Sequence, residues 1–458
     1  MRDVPGLSRR FGITVRSKWR TYGVMRDVAM PGRAGLFLCA FLLSACLVTA
    51  QQTTLPMQSV DDFVRAGIAN NKDLAAVRER VTEAKGLLRQ AGVRPPPTLA
   101  LIGATAQPFG IAGEEEYAAE YSQTIETFGK RGKRISASEF SVGLAEAELQ
   151  QRSAQLTFEI KAAYAEVLTE RRKMKILDDL IELNRQTLRL TEARVKEGDV
   201  GALEARLLKV EIGRAEVSRI SAQGRLASAE LELRRLVGVD QTAPVPDTDF
   251  PAPAAIELDA LKQKALENRA DLKRARLEEG QAAAGIALAK ADAKPDVTLS
   301  AGYARRNSQF DGLFGLTSTG ALSPIRDQVD VLTFGLSIPL RTSRSGAGNV
   351  QAATAHTSAA RLSREFLETA VPLEVDGAYK RWRASSDALQ LLESDILNPS
   401  ADNLAVIREA YKLGQLRLLD VLNEQRRLVD TQLAYADAQA DAARTWAELE
   451  RAVGGNLP

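Results

Sequence analysis

The chain has 458 residues, enough for a large buried core, with 61 Lys and Arg against 59 Asp and Glu. That balance gives nucleic-acid binding no support, and no acidic or basic tail stands out. Aromatics make up only 5% of the residues, while Ala, Leu, Glu, Arg and Gln fill long stretches, the composition of long helices and coiled coils.

The strongly apolar run at 34–50 follows Arg26 and Arg33 and reads as a secretory signal peptide rather than a membrane span. Residues 1–50 are therefore expected to be an N-terminal extension and leader. Val48-Thr49-Ala50 suits ordinary cleavage before Gln51, and Leu43-Ser44-Ala45-Cys46 also resembles a lipobox that would make Cys46 a lipidated terminus. Leu47 and Val48 keep the run apolar past that cysteine, which favours ordinary cleavage. The stretch before Met25 or Met30 is unusual for a leader, and an early start codon is its simplest explanation. Both cysteines, Cys39 and Cys46, fall in this segment, and the chain has one histidine, His356. Thiol nucleophiles, Cys/His zinc sites and most Ser-His-Asp arrangements are thereby removed. His356 is expected to be a solvent-facing helix residue. No metal site or cofactor is expected.

From residue 58 onward the chain is a duplication. Asp61-Asp62-Phe63, Asn70, Asp73-Leu74 and Pro97 recur 198 residues later as Asp259-Ala260-Leu261, Asn268, Asp271-Leu272 and Pro295. The offset then settles at 216, pairing Gly198 with Gly414, Leu203-Glu204 with Leu419-Asp420, and Leu236-Val237-Gly238 with Ala452-Val453-Gly454. The expected organisation is a first repeat at 58–238, a Pro-rich connector at 239–256 and a second repeat at 257–455. Each repeat reads as short helix, helix, strand, strand, very long helix, turn, helix.

In the first repeat the expected strands are about 97–106 and 116–126, followed by a helical hairpin at about 132–237. Steps of four and three from Leu156 visit Ile160, Ala163, Val167, Glu170, Met174, Leu177, Ile181, Asn184, Leu188, Thr191 and Val195. This is a mostly apolar heptad seam. A second seam at Ala162, Thr169, Ile176, Leu183 and Leu190 gives the helix two neighbours, as in a bundle or the wall of a tube. In the second repeat the expected strands are about 296–304 and 329–339, and the hairpin about 345–453, with Pro372 and Pro399 kinking or interrupting its long helix. The strands alternate apolar with small or polar residues. Leu299, Ala301 and Tyr303 against Ser300 and Gly302 is one case. That suits either a small wet sheet or membrane-spanning strands. Four strands cannot close a barrel, so spanning strands require several chains to share one.

Gly198 and Gly414 are expected to end long helices in the left-handed conformation. Glu204 and Asp420 follow them at equal spacing, so the duplication sets both at one level. They form either a carboxylate ring at an aperture or helix-start acids that complement the dipole. Lys130, Arg131, Lys133 and Arg134 sit at a strand-to-helix junction where four cations oppose the helix dipole. Lipid phosphates at a membrane rim would favour them, and a solvated basic turn is the alternative.

This duplicated order is similar to the TolC family of outer-membrane factors over roughly residues 58–455. Tyr411-Lys412-Leu413-Gly414 with Leu419-Asp420-Val421-Leu422-Asn423 resembles the family's tip motif, with Asn423 where a second aspartate often stands. The run from Glu126 to Arg134 resembles the heavy-metal branch. The resemblance implies a mainly α fold with β: a trimeric TolC-like α/β-barrel, four transmembrane strands per chain, and a periplasmic tunnel of coiled-coil helices. It also implies an aperture formed by Glu204, Asp420, Asn423 and Tyr411, although Tyr411 could equally be packing. The hairpin turns at Gly198, Leu203, Gly414 and Leu419 would dock a periplasmic adaptor (membrane fusion protein). The implied function is passive export of metal cations or small toxic compounds, with an inner-membrane pump of the resistance-nodulation-division type, outer-membrane lipid as surroundings and no enzymatic activity. The rival readings are a periplasmic coiled-coil scaffold, which leaves the strands and the repeat unexplained, and a type I secretion exit channel. A helical enzyme lacks any catalytic constellation or nucleotide motif.

Overall fold

The computed structural model describes residues 59–105, 114–239, 257–340, 346–455 and 457. The expected leader, with Cys46, and the connector core lie outside the described residues. The first repeat runs α1 (Val60–Asn70), α2 (Lys72–Ala91), β1 (Thr98–Thr105), β2 (Glu115–Ile125), α3 (Lys130–Glu197) and α4 (Ala202–Val237). The second runs α5 (Leu258–Asn268), α6 (Ala270–Asp292), β3 (Val297–Leu316), β4 (Leu322–Ser337), α7 (Ala347–Leu391), α8 (Asn398–Lys412) and α9 (Leu418–Val453).

At 68 residues, α3 is a rod of about 100 Å at ~1.5 Å per residue. The heptad seam read from its sequence is its inward stripe. Leu156, Ile160, Val167, Glu170, Leu177, Ile181, Asn184 and Thr191 are buried, against α4 on one side and α9 on the other. The second seam is shallower, and Leu190 at its end is exposed.

The matching rod of the second repeat is interrupted at Pro399, as expected, but not ended at Pro372, which lies inside α7. A single π-helical turn, Leu392–Leu397, carries the chain into α8, whose first turn holds Pro399. Proline lacks an N–H and crowds the carbonyl four residues back. The wider π turn provides for both, so the rod continues instead of breaking.

Two equivalent cores hold the rods at mid-height. In the first, Phe63, Val64 and Leu74 of α1–α2 pack with Ile160, Tyr164 and Val167 of α3 and with Leu233 and Leu236 of α4. In the second, Leu261 and Ala265 of α5 pack with Val371, Val375 and Trp382 of α7 and with Leu449 and Val453 of α9. Each return helix ends in a left-handed glycine, Gly238 at φ 73° and Gly454 at φ 84°. Each of these meets the short-helix junction of its own repeat. A Cβ on Gly238 would lie 2.9 Å from the Asn70 carbonyl oxygen, and one on Gly454 3.1 Å from the Arg269 backbone. The Asn71 amide donates to the Leu236 carbonyl at 2.8 Å. Arg269, its counterpart, reaches the Ala452 carbonyl at 3.5 Å. The duplication thus survives at the level of single hydrogen bonds.

The strands form one antiparallel sheet in the order β1-β2-β3-β4. The two hairpins are joined where β2 pairs with β3, from Ile125 opposite Val297 to Glu115 opposite Asn307. The second-repeat strands are far longer than the sequence suggested. β3 has 20 residues and β4 has 16, because pairing continues through Arg305, Arg306, Asn307 and Gln328, where the apolar alternation stops.

Gly238→Ala and Gly454→Ala should each cost about 1–3 kcal/mol through strain and close contact. Gly224, which has open space around its Cα, should accept alanine with no loss or a gain of about 0.5–1 kcal/mol. Thermal dissociation of the purified protein, followed on gels, measures all three.

Candidate transport path: the sheet and the rod tips

Strand register gives the sheet two chemically distinct faces. Rows of directly opposed residues point the same way. One face carries Leu99-Tyr121-Ala301-Phe334 and Leu101-Ala119-Tyr303-Leu332. Its large members are exposed, Phe334 by 83% and Leu101 by 75%. The other face carries Thr98-Ser122-Ser300-Gly335 and Ala100-Glu120-Gly302-Thr333. A Cβ on Gly302 would meet the Thr333 hydroxyl at 2.7 Å, and one on Gly335 would collide with the Ser300 hydroxyl. Small residues therefore keep this face low and polar. A sheet of this kind presents one side to hydrocarbon and the other to water. A charged belt ends the apolar band. Arg305 pairs with Asp330 at 2.8 Å on the apolar face, and Arg306 with Glu116 at 3.1 Å on the polar face. No described helix is long and apolar enough to cross a membrane.

The junction from β2 to α3 explains the basic cluster. Phe128 and Gly129 both have positive φ, 54° and 69°, and turn the chain from strand to rod. Lys130 is buried, with its ammonium 2.8 Å from both the Asp296 carboxylate and the Lys294 carbonyl. Arg134 takes a bidentate grip on Glu126 and also donates to the Ala91 and Val93 carbonyls. Arg131 donates to the Gly92 carbonyl at 2.6 Å, and Lys133 to the Phe128 carbonyl at 2.9 Å. Protein acceptors therefore favour these four cations, for which lipid phosphates at a membrane rim or a solvated turn were the expected surroundings. Carbonyls at the end of α2 and two carboxylates already do so, for Lys130 and Arg134 most completely. Burial pushes the Asp296 carboxyl up, but the Lys130 ammonium and the Thr127 N–H outweigh it and hold it below the usual carboxylate range.

At the far ends of the rods, Gly198 (φ 83°) and Gly414 (φ 76°) reverse the chain as expected. The amides of Asp199 and Gln415 return to the Arg194 and Ala410 carbonyls at 3.0 and 2.9 Å. The two tips touch. Tyr411 is buried among Leu208, Leu418, Val421 and Leu422. Its hydroxyl lies 3.1 Å from the Thr191 hydroxyl and 3.5 Å from the Glu204 carboxylate, and the Arg194 guanidinium stands 5.3 Å over its ring. In this chain Tyr411 is a packed residue that pins α8 to α3 and α4. Asp420 is exposed, and its carboxylate accepts the Arg417 N–H at 3.0 Å, capping α9. Leu203, Leu419 and Asn423 are exposed on the same tips. His356 is exposed on α7. Sequence reasoning missed Thr191 and Arg194 at the tip and Glu126 and Asp296 at the junction. Thr191 lay on the heptad seam, which was the available signal.

A two-faced membrane sheet on paired hundred-ångström rods defines a channel-forming subunit whose barrel opens into a helical tunnel. The outer membrane efflux protein model matches residues 65–239 and 261–455, and the chain belongs to that family. It is 25% identical over 399 residues to the cobalt-zinc-cadmium resistance protein CzcC of Cupriavidus metallidurans, covering 84% of this chain and 87% of that protein. It is 21% identical to nodulation protein T of Rhizobium leguminosarum bv. trifolii, covering 89% and 88%. Among solved structures, the outer-membrane channel OprN superposes with a TM-score of 0.69 at 20% identity, covering 87% of this chain and 90% of that one. CusC gives 0.69 at 19%, covering 87% and 92%. The protein is thus an outer-membrane channel component of a tripartite efflux system, from a family whose channels are trimers that work with periplasmic adaptors and inner-membrane pumps.

Lys130→Met should lower stability by about 1–2 kcal/mol near neutral pH, since it leaves the Asp296 carboxylate without its cation. A depressed folded-state pKa stabilises above the unfolded value of about 4, and that contribution is lost as pH falls through the folded value. The gap between mutant and wild type should therefore narrow below about pH 4, as read from melting curves across an acid series.

Proposed function

We propose that this chain forms the exit duct for metal cations and that the rod tips are its gate. The carrying observation is the contact of Tyr411 with Thr191 and Glu204, which joins the two hairpin tips within one chain. Three such chains bring three joined tips together around the tunnel axis. The acids Glu204 and Asp420 then stand at its mouth, and any widening must part Tyr411 from its neighbours. A ring of carboxylates in a narrow passage concentrates cations in a way that isolated surface acids do not. Glu120, exposed on the polar face of the sheet with no ion pair among the described residues, continues that preference into the barrel. The names of CzcC and of the cation efflux system protein CusC, 24% identical to this chain, support a cation cargo. A toluene efflux pump outer membrane protein of Pseudomonas putida at 23% identity supplies the rival cargo. The duct itself is passive, and the energy comes from the pump, for which the cation reading favours the resistance-nodulation-division type. The surfaces around Gly198, Leu203, Gly414 and Leu419 are exposed hairpin ends suited to receiving the helices of an adaptor.

Deleting the gene from its own host should raise sensitivity to zinc, cadmium or cobalt salts severalfold and leave toluene tolerance unchanged. The reverse pattern would overturn the cation reading and keep the channel.

Tyr411→Phe removes the hydroxyl and keeps the packed ring. It should raise single-channel conductance in planar bilayers without loss of trimer. Glu204→Ala with Asp420→Ala should do the same and weaken block by multivalent cations, while Glu257→Ala with Asp259→Ala should do neither. Wild-type conductance in both tip variants would move the gate elsewhere.

A further inference from the structure

Beyond Asn307, the last β3 residue paired with β2 among the described residues, β3 and β4 run on as a ribbon paired with each other to a turn at Thr317–Ala321. The charged belt separates this ribbon from the lipid-facing band, so it stands beyond the outer limit of the membrane. Its composition is unusual for that position. Phe310, Leu313, Phe314, Leu316, Leu322 and Ile325 are all exposed, Leu316 by 76%. A cluster of this kind in water marks a contact surface.

We propose that the ribbons of three copies converge over the outer mouth of the barrel and close it with an apolar cap, each ribbon's partner being the same segment of its neighbours. This rests on the trimeric channel reading. Reach permits it. Three four-stranded sheets make a ring of radius roughly 12 Å, at about 4.8 Å per strand and about 40° tilt. The shorter ribbon strand from Leu322 to Asp327 alone is roughly 20 Å long at about 3.3 Å per residue. The ribbon can therefore cross from the wall to the axis.

Shape permits it as well. Pairing jumps from Gln309 opposite Arg326 to Phe314 opposite Pro324, so residues 310–313 face Ile325 alone. Gly312 within that bulge has φ 78°. Bulges bend a ribbon and increase its twist, which lets this one leave the line of the wall.

Continuity favours a second copy over other occupants. β4 is an outer edge of the sheet and must pair with a neighbouring chain to close the barrel, so the ribbon grows directly out of the inter-chain seam. The charged belt argues against lipid, because Arg305, Asp330, Arg306 and Glu116 would have to follow the tip toward hydrocarbon.

The test uses full-length protein in the outer membrane of intact cells, with Ser318→Cys placing a thiol in the turn. A short, water-soluble bis-maleimide should join the Ser318→Cys chains into covalent dimers and trimers. It should not join Asp327→Cys chains at the ribbon's base, and the unsubstituted protein is the blank. Adding Phe314→Ser and Leu316→Ser should reduce crosslinking at least tenfold while the heat-modifiable trimer persists. Full labelling of Ser318→Cys by a water-soluble monomaleimide with no crosslink would show separate tips and overturn the cap. Labelling only by a lipid-soluble maleimide would put the ribbon in the bilayer and overturn it too. A chain that never runs as a trimer would sink the channel reading and the cap together, whereas an intact trimer without crosslinks sinks the cap alone.

Discussion

Backbone hydrogen bonding at the two free edges of a four-stranded sheet governs the whole design. In hydrocarbon an unpaired N–H or C=O costs several kcal/mol, so an open sheet edge cannot stay in the bilayer. β1 and β4 are the outer strands of the sheet, and the outer edge of each has no partner among the described residues of its own chain. Closure must come from other copies. Only the ring then creates an inside, and with it a use for the low, polar face built from Ser122, Ser300, Gly302 and Gly335. The lipid face and the lumen face are consequences of that one pairing requirement.

Closing the ring creates a second problem one level down. Strands in a barrel sit about 4.8 Å apart, while packed helices need about 8–10 Å. Each chain joins its four strands to four helices, α2, α3, α6 and α7, so the wall must widen sharply where β2 meets α3 and where β4 meets α7. These are the places where the chain uses left-handed residues, Phe128 and Gly129 in one repeat and Gly346 in the other. The ion pairs Lys130–Asp296 and Arg134–Glu126 fasten the first of these bends to the end of α2 and the foot of β3. Lower down, buried or half-buried pairs cross between the repeats. Lys161 meets Glu450 at 2.6 Å, and Lys173 bridges Glu170 and Asp437. A lone buried charge is expensive, so these pairs specify which faces of α3 and α9 meet.

What the sequence disclosed follows from the range of the interactions involved. The heptad seam of α3 and the glycines that end the rods are local signals, and the structure uses them as read. So too is the alternation of Leu299, Ala301 and Tyr303. The long ribbon was hidden because its stretch from Arg305 to Asn307 is polar on both faces, which alternation cannot distinguish from a loop. The role of Lys130 and Arg134 was hidden because most of their acceptors, Asp296 and the carbonyls of Lys294, Ala91 and Val93, are far away in sequence. Tyr411 belonged to a recognisable tip motif, but its burial depends on Leu208 and Thr191 from the other repeat. Pro399 was legible, since the α-helix gives way to a π turn and restarts at Asn398, whereas Pro372 lies inside α7 without ending it, because neighbouring helices hold the rod together.

Rods that are fastened at one end and loosely held at the other behave as levers, and the distribution of side chains along α3 has that character. At mid-height it is locked by the Phe63, Tyr164 and Val167 core and by the Lys161–Glu450 pair. Toward the tip its buried stripe turns polar, with Asn184, Thr187 and Thr191 facing α8 and α9. There the Asn184 carbonyl oxygen and both polar atoms of the Gln425 amide are buried without a hydrogen-bond partner among the described residues. Both residues line a cleft of about 600 Å³ between α3, α4 and α9, roomy and polar enough for water to serve them. The core at mid-height is built from apolar side chains, and parting it would only lose apolar packing. Contacts that water can replace hold the rods less firmly than apolar packing does, so the rods part more readily toward their ends than at mid-height, which is the condition a gate at the rod ends requires.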